Sequence, residues 1–122
     1  MKKTQLLKGV LEGCVLLIIS ESEVYGYEMV QRLKEYGFEE MVGGTVYPLL
    51  QKLEKKEYIS SITKPSADGP DRKYYYITSI GIEYSQQFIN QWEDLSNNVN
   101  KIISLKGRYL NEETKKPKTN IN

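Results

Sequence analysis

Histidine is absent from the chain, and cysteine occurs once, as Cys14. The first absence removes the commonest general base, the imidazole metal ligand and every Ser-His or Cys-His nucleophile pair. The second excludes an internal disulfide and a cysteine zinc cluster, and it suits a reducing cytoplasm. There is no glycine-rich phosphate loop either, so an enzyme is the poorest of the function classes. An excess of one charge is also lacking: 17 basic and 16 acidic residues leave +1. A nucleic-acid reading must therefore rest on where the cations sit rather than on how many there are. Long apolar runs are missing as well. The longest is Cys14–Ile19, far short of the ~20 residues that a spanning helix needs. Lys2, Lys3 and Lys8 faintly resemble the start of a secretion signal, but Glu12 interrupts the stretch and no small-residue cleavage site follows. The expectation is a cytoplasmic protein with no membrane association, no metal and no cofactor.

What is present is pattern. The 122 residues suffice for one domain with one modest core. Gln5 to Ser20 is apolar first at helical spacing and then all round, which describes a helix buried on most sides. A second helix is expected from about Gly26 to Tyr36, stopped by Gly37, and a third from Thr45 to Glu57, with Pro48 in its first turn. The period then changes. Tyr58–Lys64 and Arg72–Thr78 read as strands, and Pro65 to Asp71, dense in turn formers, reads as a long hairpin tip. Thr78 or Ser79 caps a final helix. Along it Phe88, Trp92, Leu95, Val99 and Ile102 follow one another by four, three, four and three residues. That is a heptad seam, the pattern of helices packing side by side, and it marks these residues for dimerisation. The fold class is thus mostly α with a two-stranded β wing, in the order α-α-α-β-β-α of a winged helix-turn-helix. Residues 1–78 would form the head, 79–107 the dimerisation helix and 108–122 a disordered, lysine-rich tail.

The third helix carries the first candidate chemistry. With Val46, Leu50 and Leu53 inward, the helical period turns Thr45, Pro48, Gln51 and Lys52 outward, with Tyr47 at the edge. Such side chains suit base edges and phosphate oxygens; they equally suit an ordinary solvated face. Lys64, Arg72 and Lys73 flank the hairpin tip, where they would contact DNA beside the helix or simply protect a strand edge from pairing. Cys14, in an apolar stretch without cations, reads as an inert thiol.

Four stretches carry a resemblance: Leu6-Leu7-Lys8-Gly9, Tyr25-Gly26-Tyr27-Glu28, Gly44-Thr45-Val46-Tyr47-Pro48-Leu49-Leu50-Gln51-Lys52-Leu53-Glu54, and Gly69-Pro70-Asp71-Arg72-Lys73-Tyr74-Tyr75. Together they resemble the PadR family of bacterial transcriptional regulators, over residues 4–105. The resemblance implies a dimeric repressor that binds double-stranded DNA at an inverted-repeat operator. Thr45, Tyr47, Pro48 and Lys52 would belong to the recognition helix, and Arg72 and Lys73 to the wing. Where the family often has a glycine after the third helix, this chain has Glu57, which leaves a left-handed turn to a residue less suited to it. A single C-terminal helix is similar to the small subgroup, whose multidrug-sensing members insert planar aromatic compounds between paired tryptophans at the dimer centre. Trp92 lies at the matching place, with Ile89 and Ser96 one turn away and Leu11 and Val15 of the first helix facing the same space. The competing reading makes Trp92 a packing residue of the seam. A different class also stays open, a winged-helix adaptor that binds proteins and does not read DNA, for which the near-neutral charge speaks.

Overall fold

The computed structural model describes the backbone of residues 7 and 9–115, and their side chains as far as residue 106. In chain order the elements are α1 (Leu11–Glu21), β1 (Val24–Tyr25), α2 (Gly26–Glu35), α3 (Gly43–Lys55), β2 (Ile59–Ser66), β3 (Gly69–Ile77) and α4 (Ser79–Lys115). This is the mostly helical, winged helix-turn-helix class expected, with a long C-terminal helix.

Four local expectations change. The helix expected from Gln5 to Ser20 is interrupted: Leu7 is helical, Gly9, at φ +94°, and Val10 form a turn, and Leu11–Glu21 follows as a helix, while Gln5, Leu6 and Lys8 lie outside the described residues. Pro48 is the sixth residue of α3, not part of its first turn, since the helix starts at Gly43. Its missing N–H deprives the carbonyl of Gly44 of a helical donor, and Gly44 is exposed. The hairpin tip is shorter: β2 and β3 pair as far as Ser66 and Gly69, leaving Ala67 and Asp68 as the turn. Pro65 and Pro70 fall in an irregular interval between the Lys64–Arg72 and Ser66–Gly69 pairs, where the ladder needs no donor from them. The last helix runs to Lys115, past the expected end at 107; the tail beyond 115 lies outside the described residues.

One strand is new. Val24–Tyr25 pairs antiparallel with β3, Val24 opposite Tyr75 and Tyr25 opposite Tyr74, giving the order β1-β3-β2. β3 is thus the central strand, held on both edges.

The chain divides at Phe88 into two units. In the first, the core is built from Val15, Leu16 and Ile19 of α1, Val24, Met29 and Leu33 of β1 and α2, Val46, Leu50 and Leu53 of α3, and Ile59 of β2, all fully buried or nearly so. Each contributes about 1.5–3 kcal/mol on leaving water. Phe88 closes this core over Gly13, where any side chain would occupy the space of its ring. Thr78 caps α4 as expected: its hydroxyl oxygen accepts the Gly81 N–H at 3.1 Å and its proton reaches the carbonyls of Glu57 and Tyr58, at 2.7 and 3.0 Å. Tyr84, one turn into α4, stacks on Tyr58 at 4.5 Å. In the second unit, the rest of α4 leaves Ile89, Trp92, Leu95, Val99 and Ile102 exposed. No described helix is long and apolar enough to cross a membrane.

Candidate nucleic-acid interface

The face of α3 opposite Val46, Leu50 and Leu53 presents Thr45, Tyr47, Pro48, Gln51 and Lys52, all exposed. The heptad-like apolar spacing dictates this, because residues two and five positions from a buried one point away from the core. Tyr47 is the most constrained of the five. A Cβ on Gly26 would stand 2.7 Å from one edge of its ring, and a Cβ on Gly43 2.9 Å from the other. The ring is therefore gripped between the first residue of α2 and the first residue of α3, yet remains 45 % exposed. Two glycines, one at the start of each helix, make a slot that holds an aromatic hydroxyl side chain on the surface of α3.

The cations have partners that sequence inspection did not find. Lys52 Nζ lies 2.8 Å from the Glu12 carboxylate of α1, with Lys56 at 3.9 Å from the other oxygen. Glu12 raises the Lys52 ammonium above its ordinary value, first through their hydrogen bond. Lys64 pairs with Glu23, just before β1. Lys73 Nζ lies 3.0 Å from Glu54 of α3, whose second oxygen accepts the Ser61 hydroxyl of β2 at 2.6 Å. Ser61 first, and Lys73 after it, hold the Glu54 carboxyl below the usual carboxylate range. Among the described residues, only Arg72 of the expected DNA-binding cations has no carboxylate partner within 4 Å.

Arg72 has an aromatic seat instead. Its guanidinium lies 4.5 Å from the Tyr25 ring centre, and Tyr25 meets Tyr74 edge to face at 5.4 Å. Lys64 Nζ sits 5.1 Å from the Tyr74 ring on the neighbouring strand. The Tyr25-Gly26 and Arg72-Lys73-Tyr74 stretches are thus one assembly, joined by the β1–β3 ladder. Two residues of β1 are too few for any period-two pattern to be recognised, and Glu12, Glu23 and Glu54 carry no signal apart from opposite charge at long separation.

Of the residues expected around a ligand, Leu11 and Val15 lie in the core of the first unit, Val15 without any exposed surface. In the second unit Trp92 and Ile89 are exposed, and Ser96, half-buried, donates its hydroxyl to the Glu93 carbonyl at 3.2 Å. Of the seam residues, Trp92, Leu95, Val99 and Ile102 have no covering partner within the described chain, whereas Phe88 is spent on Gly13. Burial pushes the Cys14 thiol up, as expected of an inert cysteine.

Comparison with known proteins bears on this arrangement. Residues 15–87 match the model of the transcriptional regulator PadR-like family. A crystal structure of a Streptococcus transcriptional regulator is similar at 57 % identity, covering 82 % of this chain and 98 % of that one, with a TM-score of 0.74. A PadR-like transcriptional regulator from Bacillus cereus is similar at 46 % identity, 81 % and 96 % coverage and a TM-score of 0.75. A protein of Lysinibacillus sphaericus, itself uncharacterised, is 33 % identical over 97 residues, 78 % of this chain and 89 % of its own.

Proposed function

Because the chain belongs to the PadR-like family of transcriptional regulators, we propose that it acts as a homodimeric repressor of an inverted-repeat operator. Each α3 enters the major groove and each β2–β3 wing reaches flanking DNA. The observation that supports this best is the exposed polar face of α3, with Tyr47 fixed on it between Gly26 and Gly43. A side chain held in one place loses little entropy on meeting a base edge or phosphate. Two heads joined through the α4 seam would match half-sites about one helical turn apart. The family is one of regulators, and catalysis has no part in this reading.

The seam also suits an effector. Two Trp92 indoles brought together across a twofold axis make a slot with flat π walls, fit for a planar aromatic or cationic molecule. Ile89 and Ser96 would line it; Leu11 and Val15, buried in the core, are left out. Such a molecule regulates only if it prefers one spacing of the heads over another.

Gel retardation of the DNA upstream of the chain's own gene tests the first part. Sequence-dependent, salt-sensitive binding at nanomolar protein is expected. No retardation overturns DNA reading and favours the protein-binding adaptor. Titration of Trp92 fluorescence with planar dyes tests the slot, since the chain has no other tryptophan. Saturable quenching is expected, and no quenching across a panel of dyes sinks the slot alone.

A further inference from the structure

We infer that Glu54 is a positioning residue that sets the wing against the reading helix, with Lys73 serving it as a strut rather than as a contact to phosphate. The inference rests on the DNA-reading proposal and deepens it. Glu54 stands on α3 immediately behind the presented face, half-buried between the helix and the sheet. Its two oxygens go to different strands: one accepts Ser61 Oγ of β2 at 2.6 Å, the other faces Lys73 Nζ of β3 at 3.0 Å. Both bonds are charge-assisted, and such bonds are about twice as strong as neutral ones. The remaining ionic and cation–π anchors of the wing lead elsewhere, Lys64 to Glu23 and Arg72 to Tyr25. Among the described residues, Glu54 makes the only side-chain hydrogen bonds and ion pair between α3 and the wing.

The leverage is large for so small a tie. Lys73 lies five residues from Asp68 at the tip, roughly 16 Å of strand. A pivot of about 10° at Lys73 displaces the tip by about 3 Å. That exceeds the whole distance window of a hydrogen bond to phosphate, ~2.7–3.2 Å. An untied wing therefore forfeits its flanking contacts while α3 keeps its own.

The test uses the full chain and a duplex selected by the wild type from a random-sequence pool. It is presented at full length and trimmed of the flanking pairs that the wing protects in hydroxyl-radical footprints. Glu54→Ala, Lys73→Glu and the exchanged pair Glu54→Lys with Lys73→Glu are compared with wild type, with dimer state and thermal midpoint measured for each. Glu54→Ala should weaken the full-length duplex about tenfold, the size of one or two phosphate contacts, lose the flanking footprint and bind the trimmed duplex like wild type. The exchanged pair should recover most of the loss, because the tie returns with its charges reversed. Wild-type affinity in Glu54→Ala overturns the inference. So does an exchanged pair as weak as Lys73→Glu alone, which would make Lys73 itself the phosphate contact. An equal loss on both duplexes with a lowered midpoint also overturns it, by reducing Glu54 to general stability. Failure of the wild type to select any duplex instead overturns the DNA reading beneath it.

Discussion

Residues 11–88 and the stretch of α4 beyond them answer the same problem in opposite ways. In the first, a core closes within one chain: Val15, Val46, Leu33 and Leu53 have no exposed surface. Three of its candidate DNA-binding cations are tied as well, Lys52 to Glu12, Lys64 to Glu23 and Lys73 to Glu54. In the second, Trp92, Leu95, Val99 and Ile102 lie open along one seam with nothing in the described chain to cover them. A contiguous apolar patch of this kind marks an interaction surface. The difference teaches that the head buries a core of its own, whereas the far part of α4 keeps its apolar seam open, as the proposed dimer requires.

Putting a charge in the seam breaks that comparison most directly. Val99→Asp should leave a monomer at about 10 μM in analytical ultracentrifugation, because two symmetry-related carboxylates would be buried without partners at several kcal/mol. Operator binding should fall by at least about two orders of magnitude, since the half-sites are then bound one at a time. Leu95→Asp should behave alike. A fully dimeric, DNA-competent Val99→Asp protein would remove the seam from consideration.

Within the head, Tyr47→Ala is expected to cost about 1–3 kcal/mol of operator binding, roughly 10- to 100-fold, with the dimer intact. Gly26→Ala sharpens this result without touching Tyr47. The new methyl group would stand 2.7 Å from the ring, so the ring must leave its slot. We expect about a tenfold loss in a binding titration and an unchanged far-ultraviolet spectrum, a loss that the added helix propensity of alanine cannot cause. Arg72→Ala should do less. It should weaken binding by severalfold and reduce the slope of log K against log salt by about one, as loss of a single phosphate contact does. A salt slope equal to wild type would make the Tyr25 stack its whole role.

The order of helices and strands was legible because period carries it. Val46, Leu50 and Leu53 at helical spacing against β-rich Tyr58–Lys64 leave little choice. The exposed face of α3 followed from the same arithmetic. What period cannot carry is pairing across long separations. Glu12 and Lys52 are 40 residues apart, and Glu23 and Lys64 are 41; neither pair has a local signature. For that reason Lys52, Lys64 and Lys73 read as free cations in the sequence and are paired in the structure. Pro65 and Pro70 misled in the other direction. Turn formers ordinarily end strands, yet here they sit in a bulge within a ladder that continues past them. Val15 misled because an apolar helix position does not say which apolar surface it meets.

Two helix ends close the contrast at the finest scale. α2 stops with the Gly37 N–H on Lys34 at 3.0 Å and the Phe38 N–H on Leu33 at 2.9 Å, and Gly37 takes φ +106°. α3 stops in the same motif, with the Glu57 N–H on Glu54 at 2.9 Å and the Tyr58 N–H on Leu53 at 3.0 Å, but the left-handed residue is Glu57, at φ +67°. A side chain in that conformation costs about 1 kcal/mol that glycine does not incur. Glycine also has more freedom to lose on folding, so part of the gain is returned. Glu57→Gly should therefore stabilise the head by about 0.5 kcal/mol and raise its thermal midpoint by roughly 2–4 °C. Because the Glu57 carboxylate is exposed and makes none of the ion pairs described above, dimer state and operator affinity should stay where they are. A midpoint that falls would mean that the Glu57 side chain does something for the turn that its backbone strain conceals.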